Sequence, residues 1–215
     1  MSGKKISFDI ERKFMRSAGD IVLGIDEAGR GCLAGPVAAA CAWINQAKFP
    51  PALLSLIDDS KKLPEERREA IFEAVSGLPP DVCMYDFATL SARKIDEMNI
   101  LQASLLAMKT AHGKLISRLP RRPVMTLVDG NRAPDIAPAA TLVKGDARSY
   151  SVALASIIAK VTKDRALSEI GEKFPEFGFR QNKGYGTAAH LAALEKYGPC
   201  PEHRMTYTPV RERAK

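Results

Sequence analysis

The stretch that most limits the fold is Ile21-Val22-Leu23 followed by Gly24-Ile25-Asp26-Glu27-Ala28-Gly29-Arg30-Gly31. Ile21 to Asp26 reads as a short buried first strand, and Gly29 and Gly31 mark where it must turn. Asp26 and Glu27 therefore stand at or just past a strand end, beside backbone that glycine leaves open to close approach. Paired acids at such a place suit a divalent metal, and Gly29-Arg30-Gly31 suits a sugar or phosphate. A solvated acidic turn is the plain alternative for one Asp-Glu pair taken alone.

Further strand signals follow. Pro36 to Ile44 is reached through the Gly35-Pro36 turn, and Val82 to Ala88 reads as a third strand. Val124 to Val128 stops at Asp129-Gly130, and Ala140 to Val143 stops at Lys144-Gly145-Asp146. Between them lie helix signals. Pro64 opens a helix with Glu65 and Glu66 in its first turn, and Gly77 closes it. Asn99 with Gln102 forms a capping box for a helix through Leu101, Leu105, Leu106 and Met108. A long helix is expected from about Ser149 to Ile170, with Ala153, Ile157, Val161 and Asp164 along one stripe. A short one from about Thr187 to Lys196 ends at Gly198-Pro199.

The polar segment 1–20 is expected to pack loosely, and Gly178, Gly184 and Gly186 to make a mobile loop carrying Lys183 and Tyr185. The class is α/β: a mixed sheet flanked by helices over 21–178, with a small helical extension over 179–215.

Asp26, Asp129 and Asp146 share one setting, the C-terminal end of an expected strand next to a glycine-containing turn. Glu27 adds a fourth carboxylate. If those strands are neighbours, four acids converge at one sheet edge, and their repulsion is costly unless cations occupy the site. Hard oxygen ligands select magnesium or manganese, and two such ions ~4 Å apart clamp the attacking water and leaving oxygen of a phosphodiester. Taken singly, Asp129 and Asp146 are ordinary turn residues.

Composition agrees with a polyanionic partner: net charge is +7 and pI about 9.3. Cys32, Cys41, Cys83 and Cys200 show no paired spacing, which argues against zinc or a disulfide framework. No run approaches the ~18 apolar residues of a membrane span, and Met1 to Asp20 lacks the apolar stretch of a signal peptide. A reducing cytoplasm is expected.

Asp26-Glu27-Ala28-Gly29-Arg30-Gly31, Asp59-Ser60-Lys61-Lys62-Leu63, Asp129-Gly130-Asn131, Lys144-Gly145-Asp146, Ala155 to Asp164 and Lys183-Gly184-Tyr185-Gly186-Thr187 occur in the order seen in bacterial ribonuclease HII. The chain resembles that family from about residue 20 to Val210. The resemblance implies an RNase H-like fold and metal-dependent cleavage of the RNA strand of RNA–DNA hybrids. It also implies incision 5′ of single ribonucleotides in duplex DNA, leaving 3′-hydroxyl and 5′-phosphate ends. By motif position, Asp26, Glu27, Asp129 and Asp146 resemble the family's acidic catalytic residues. Gly29, Arg30 and Gly31 match the segment that reads the 2′-hydroxyl, and Tyr185 matches the tyrosine that packs on the adjacent deoxyribose. Backbone bared by glycine suits the first task, since only the 2′-hydroxyl separates the two sugars.

Ser60, Lys61, Lys62, Lys144, Lys183 and Arg204 are expected to contact substrate, although any lone lysine can be merely solvated. Asp164, one turn after Lys160, reads as an ion-paired support for the site. Cys32 stands where many relatives carry proline, and Thr206-Tyr207 where Ser-Phe is usual. His190 reads as a packing or phosphate-facing residue.

A monomer is expected. A replication clamp as partner is left open. The ribonuclease HIII type is the nearest alternative, disfavoured by the intact Gly29-Arg30-Gly31. A non-cutting hybrid-binding module is the alternative from another class, and four carboxylates in a polyanion's groove argue against it.

Overall fold

Apolar alternation and small residues dictate how this chain layers. A computed structural model describes residues 6–214. The elements are α1 (Asp9–Phe14), β1 (Val22–Ala28), β2 (Val37–Ile44), α2 (Pro51–Leu54), α3 (Glu65–Ser76), β3 (Cys83–Leu90), α4 (Ala92–Met98) and α5 (Ile100–Ile116). They continue with β4 (Met125–Asp129), β5 (Ala139–Leu142), α6 (Tyr150–Lys173), α7 (Phe179–Asn182), α8 (Ala188–Tyr197) and α9 (Thr208–Arg211). The sheet order is β3-β2-β1-β4-β5, with β1 antiparallel to β2 and parallel to β4. It is the mixed sheet expected.

β1 is buried on both faces because side chains alternate across a strand. Leu23 and Ile25 join Ala39, Cys41, Ala107 and Leu115 in a core under α5. The opposite face carries Gly24 and Asp26 and meets α6. Gly24 has a specific cause: a Cβ there would lie 2.2 Å from the backbone carbonyl carbon of Ser151. Backbone thus packs on backbone, bringing the first turn of α6 down beside Asp26. Alanines 38–40 and 42 of β2 are fully buried and let both helices come close to the sheet.

Ser149 caps α6 by accepting from the Val152 N–H, and Asn99 caps α5 by accepting from the Gln102 N–H. The long helix is buried around most of its first half, not along one stripe. Several other expectations are corrected. Residues 6–20 are not loose: Ile6 and Phe8 are buried, and Glu11 accepts from the Ser149 hydroxyl at 2.7 Å and from the Ser151 amide and hydroxyl at 3.0 Å. This carboxylate sits at the N-terminus of α6, where a negative charge is favoured. Residues 1–5 lie outside the described residues. The segment 178–187 is not a slack loop, since Gly184 is buried and a Cβ on it would come within 2.7 Å of the Ala34 carbonyl. A further small core of Leu167, Phe177, Phe179, Leu194 and Val210 anchors this region. Helix α4 had no clear sequence signal.

Candidate active site

Strand register places the first two acids. Ile25 of β1 pairs with Val128 of β4, so Asp26 and Asp129, the next residues, stand level at one edge of the sheet. Asp26 lies within β1, two residues short of its end, whereas Asp129 is the last residue of β4. Asp146 was expected at a strand end. It lies instead in a short 3₁₀ turn, Gly145–Ala147, past β5. That turn is held to β4 because the Gly145 N–H donates to an Asp129 carboxylate oxygen at 2.6 Å. One carboxylate oxygen from each of Asp26, Asp129 and Asp146 falls within 4.8 Å of the others. Glu27 falls outside this trio and is approached by Arg30 at 3.3 Å, but it lines the same groove as Asp26 and its charge still acts on Asp26.

The electrostatics show charge short of partners. Burial pushes the Asp26 carboxyl well above its usual range, and the charges of Glu27 and Asp129 push it further. Burial also raises Glu27, with Arg30 opposing. Asp146 is raised by burial and then by Asp129 and Asp59. Lys61 approaches Asp146 at 3.7 Å; burial pulls its ammonium down, yet the summed pull of Asp146, Asp26 and Asp59 carries it up. Three close carboxylates, all oxygen donors, and too little positive charge fit a hard divalent cation.

Beside the trio lies a groove of about 510 Å³. Its walls carry Asp26 and Glu27, Gly29-Arg30-Gly31, Ser60 with Lys61, and Lys160 with Tyr185. The sequence thus placed most of one cleft's lining in separate motifs. Gly29 adopts a φ of +98°, a conformation that strains any other residue, and a Cβ would also press on Lys163. Gly31 has open space around it. Tyr185 is 42% exposed, with its ring lying over the Lys163 and Lys160 ammonium groups at 4.9 and 5.5 Å. Partial burial drives its hydroxyl up to about 12.

Beneath the ring is a charged hub that the sequence foreshadowed only in part. Asp164 forms the expected pair with Lys160 at 3.0 Å, and also meets Lys163 at 2.7 Å and Arg68 at 3.5 Å. Lys163 is wholly buried and donates to the Lys183 carbonyl at 3.0 Å. Its burial was hidden because a lysine on a helix next to an aspartate normally faces water.

Four of the expected contacts do not line this groove. Lys183 donates to Glu65 at 2.7 Å, so it is its carbonyl, not its charge, that serves the hub. Arg204 is wholly buried, donating to the Gly35, Arg30 and Pro36 carbonyls, and cannot reach a ligand. Lys62 pairs with Asp58 at 3.4 Å, and Lys144 is exposed at the turn after β5. His190 does not face phosphate. It is fully buried, its Nε2 lies 2.9 Å from that of His203, and the rings of Phe177 and Phe179 flank the pair. Burial, then the neighbouring imidazole, pushes His203 down to about 4.

Comparison with known proteins accords with this geometry. The family model described as Ribonuclease HII matches residues 23–210. The Ribonuclease HII of Paramagnetospirillum magneticum is 45% identical over 195 residues, spanning 90% of this chain and 93% of that protein. The crystal structure of ribonuclease H2 from Pyrococcus horikoshii superposes with a TM-score of 0.70 at 28% identity, covering 90% of this chain and 96% of that one. Bst-RNase HIII in complex with Mn2+ gives a TM-score of 0.75 at 18% identity, over 90% of this chain and 69% of that one, a likeness of fold. Among the described residues no helix is long and apolar enough to cross a membrane. With the RNase H-like sheet, the acid edge and a match along nearly its whole length, this chain is a ribonuclease H and belongs to the ribonuclease HII family.

Proposed function

We propose that this enzyme cuts the RNA strand of RNA–DNA hybrids and incises 5′ of single ribonucleotides in duplex DNA, with magnesium or manganese as cofactor. The observation that carries the reading is the juxtaposition of the three-carboxylate cluster with a groove lined by both Gly29–Gly31 and Tyr185. Asp26, Glu27, Asp129 and Asp146 would hold the divalent ions. When bound, such ions neutralise the scissile phosphate and lower the pKa of attacking water.

The chain's own residues do the rest. Backbone of Gly29 and Gly31 meets the 2′-hydroxyl, and the half-exposed Tyr185 ring packs on the next sugar, where a 2′-hydroxyl would not fit. Arg30 and Lys61 bind flanking phosphates, Lys160 stays paired to Asp164 and supports the Tyr185 ring, and Ser60, 5% exposed, shapes the groove wall. Cleavage leaves 3′-hydroxyl and 5′-phosphate ends. We assign the residues over 21–178 to the catalytic core and those after them to a substrate-binding extension, acting as a monomer in the cytoplasm.

A labelled duplex with one ribonucleotide, incubated with Mg2+ or Mn2+ and with EDTA as control, tests this. A metal-dependent nick 5′ of the ribonucleotide is expected. Cutting of long hybrids alone would remove the junction-reading role of Gly29–Gly31, and no cutting of either substrate would overturn the reading.

A further inference from the structure

We propose that His203 and Arg204, adjacent on the C-terminal tail, are positioning residues that fix the separation of the two groove walls, one side chain holding each wall. This deepens the function proposed above, because it concerns how the Gly29–Gly31 loop and Tyr185 are kept in register with one another.

The Arg204 side is a set of carbonyl clamps. Its guanidinium donates to Gly35 and Pro36, each at 3.1 Å, and to Arg30 at 3.0 Å. The Arg30 carbonyl receives a second donor, the Tyr207 hydroxyl, at 2.7 Å. Backbone bonds extend the contact: Arg204 N–H donates to Leu33 and Gly35 N–H to Glu202, both at 2.8 Å. The loop's orientation is therefore set from the tail. Tyr207 stands where Phe is usual in the family this chain resembles, so its hydroxyl is an added hold on the loop.

The His203 side is a directional relay. The Cys200 N–H donates to His203 Nδ1 at 3.0 Å, which leaves the ring proton on Nε2. That proton points at His190 Nε2, 2.9 Å away, so His190 carries its own proton on Nδ1 and donates it to the Tyr185 carbonyl at 2.9 Å. The fixed backbone donor at one end and acceptor at the other select this single arrangement of two neutral imidazoles. Apolar residues could fill the same volume between Phe177 and Phe179, but they would not fix where the Tyr185 carbonyl points.

The experiment uses the full chain with Tyr207→Phe, His203→Asn and His203→Gln. Asn keeps an acceptor for Cys200 but cannot reach His190; Gln reaches His190. Amide hydrogen exchange is read over 29–33 and 184–187. Alongside it, kcat/KM for a single-ribonucleotide duplex is divided by that for a continuous hybrid. Each hydrogen bond lost is worth about a three- to tenfold change. Tyr207→Phe is expected to speed exchange over 29–33 alone, and His203→Asn over 184–187, each lowering the ratio by that factor while Gln restores it. Unchanged local exchange in the folded variants would overturn the proposal, as would a uniform rise throughout the sheet. If His203→Asn does not fold, the isosteric Tyr207→Phe decides. Local exchange changes in an enzyme that never nicks the single-ribonucleotide duplex would leave the clamp standing and remove the function it was assigned.

Discussion

The acid edge and the tail clamp are both buried and polar, yet they are built in opposite ways. At the edge, Asp26, Asp129 and Asp146 crowd within 4.8 Å, and the nearest cation, Lys61, only reaches Asp146 at 3.7 Å from a side chain 80% exposed. At the tail, Arg204 and both imidazoles find partners for the donors and acceptors they present. Folding alone favours the second arrangement, since a buried charge without a partner costs stability. A chain that keeps the first does so for something outside itself. The unmatched region is where a ligand belongs, and the matched region is what holds the groove in shape.

The largest effect should come from removing one charge at the edge. Asp26→Asn is expected to lower metal-dependent cleavage by about a thousandfold, as loss of several kcal/mol of transition-state stabilisation implies. The same change should raise the thermal midpoint by about 2–4 °C in metal-free buffer, the shift that 1 kcal/mol gives a chain this size. Wild-type protein should gain stability when Mg2+ is added, and the variant should gain less. A variant that lost both activity and stability would show that the edge is ordinary supporting structure.

A smaller effect separates the regions by pH. The raised carboxyls of Asp26, Glu27 and Asp146 contribute stability that is fully present below the usual carboxylate pKa and is lost as pH rises through their elevated values. The histidines act in the other sense. His203, pushed down to about 4, with His190 and His112 also lowered by burial, contributes stability present above about 6.5 and lost as pH falls toward 4. Between those limits the two regions oppose each other, so wild type should change little in thermal midpoint. Asp26→Asn should then lose stability more steeply on acidification, and His203→Asn less steeply, each departing from wild type by about 2–4 °C between pH 7 and 5. Parallel curves for all three proteins would deny that the regions differ.

The two regions also differed in how far they could be read from sequence. Apolar runs and glycine turns located every strand to within a residue or two, and the acids at their ends pointed to the edge, because local sequence decides such positions. The placement of Asp146 in a 3₁₀ turn escaped because that turn is held by a tertiary bond to Asp129. Gly24 looked like any strand glycine; only the docking of α6 gives it a cause. The clamp was hidden most deeply. Arg204 and Lys183 have the composition of phosphate binders, and their partners, Arg30 and Glu65, lie more than a hundred residues away in sequence. Burial reversed what residue type suggested.

The smallest effect contrasts two lysines that composition cannot tell apart. Lys61 hangs over the groove with its side chain 80% exposed, whereas Lys183 is committed to Glu65 with 13% exposed. A lysine that neutralises a substrate phosphate releases a counterion, so its loss lowers the slope of log affinity against log salt by about 1. Lys61→Ala should show that change in binding to an RNA–DNA hybrid measured in Ca2+ at several salt concentrations. Lys183→Ala should leave the slope alone and cost at most about 1 kcal/mol of stability, the scale of a partly exposed ion pair. Equal slope changes would mean that Lys183 leaves Glu65 for the substrate, and that the line between the ligand-seeking edge and the self-satisfied tail runs further from the acids than the unliganded fold draws it.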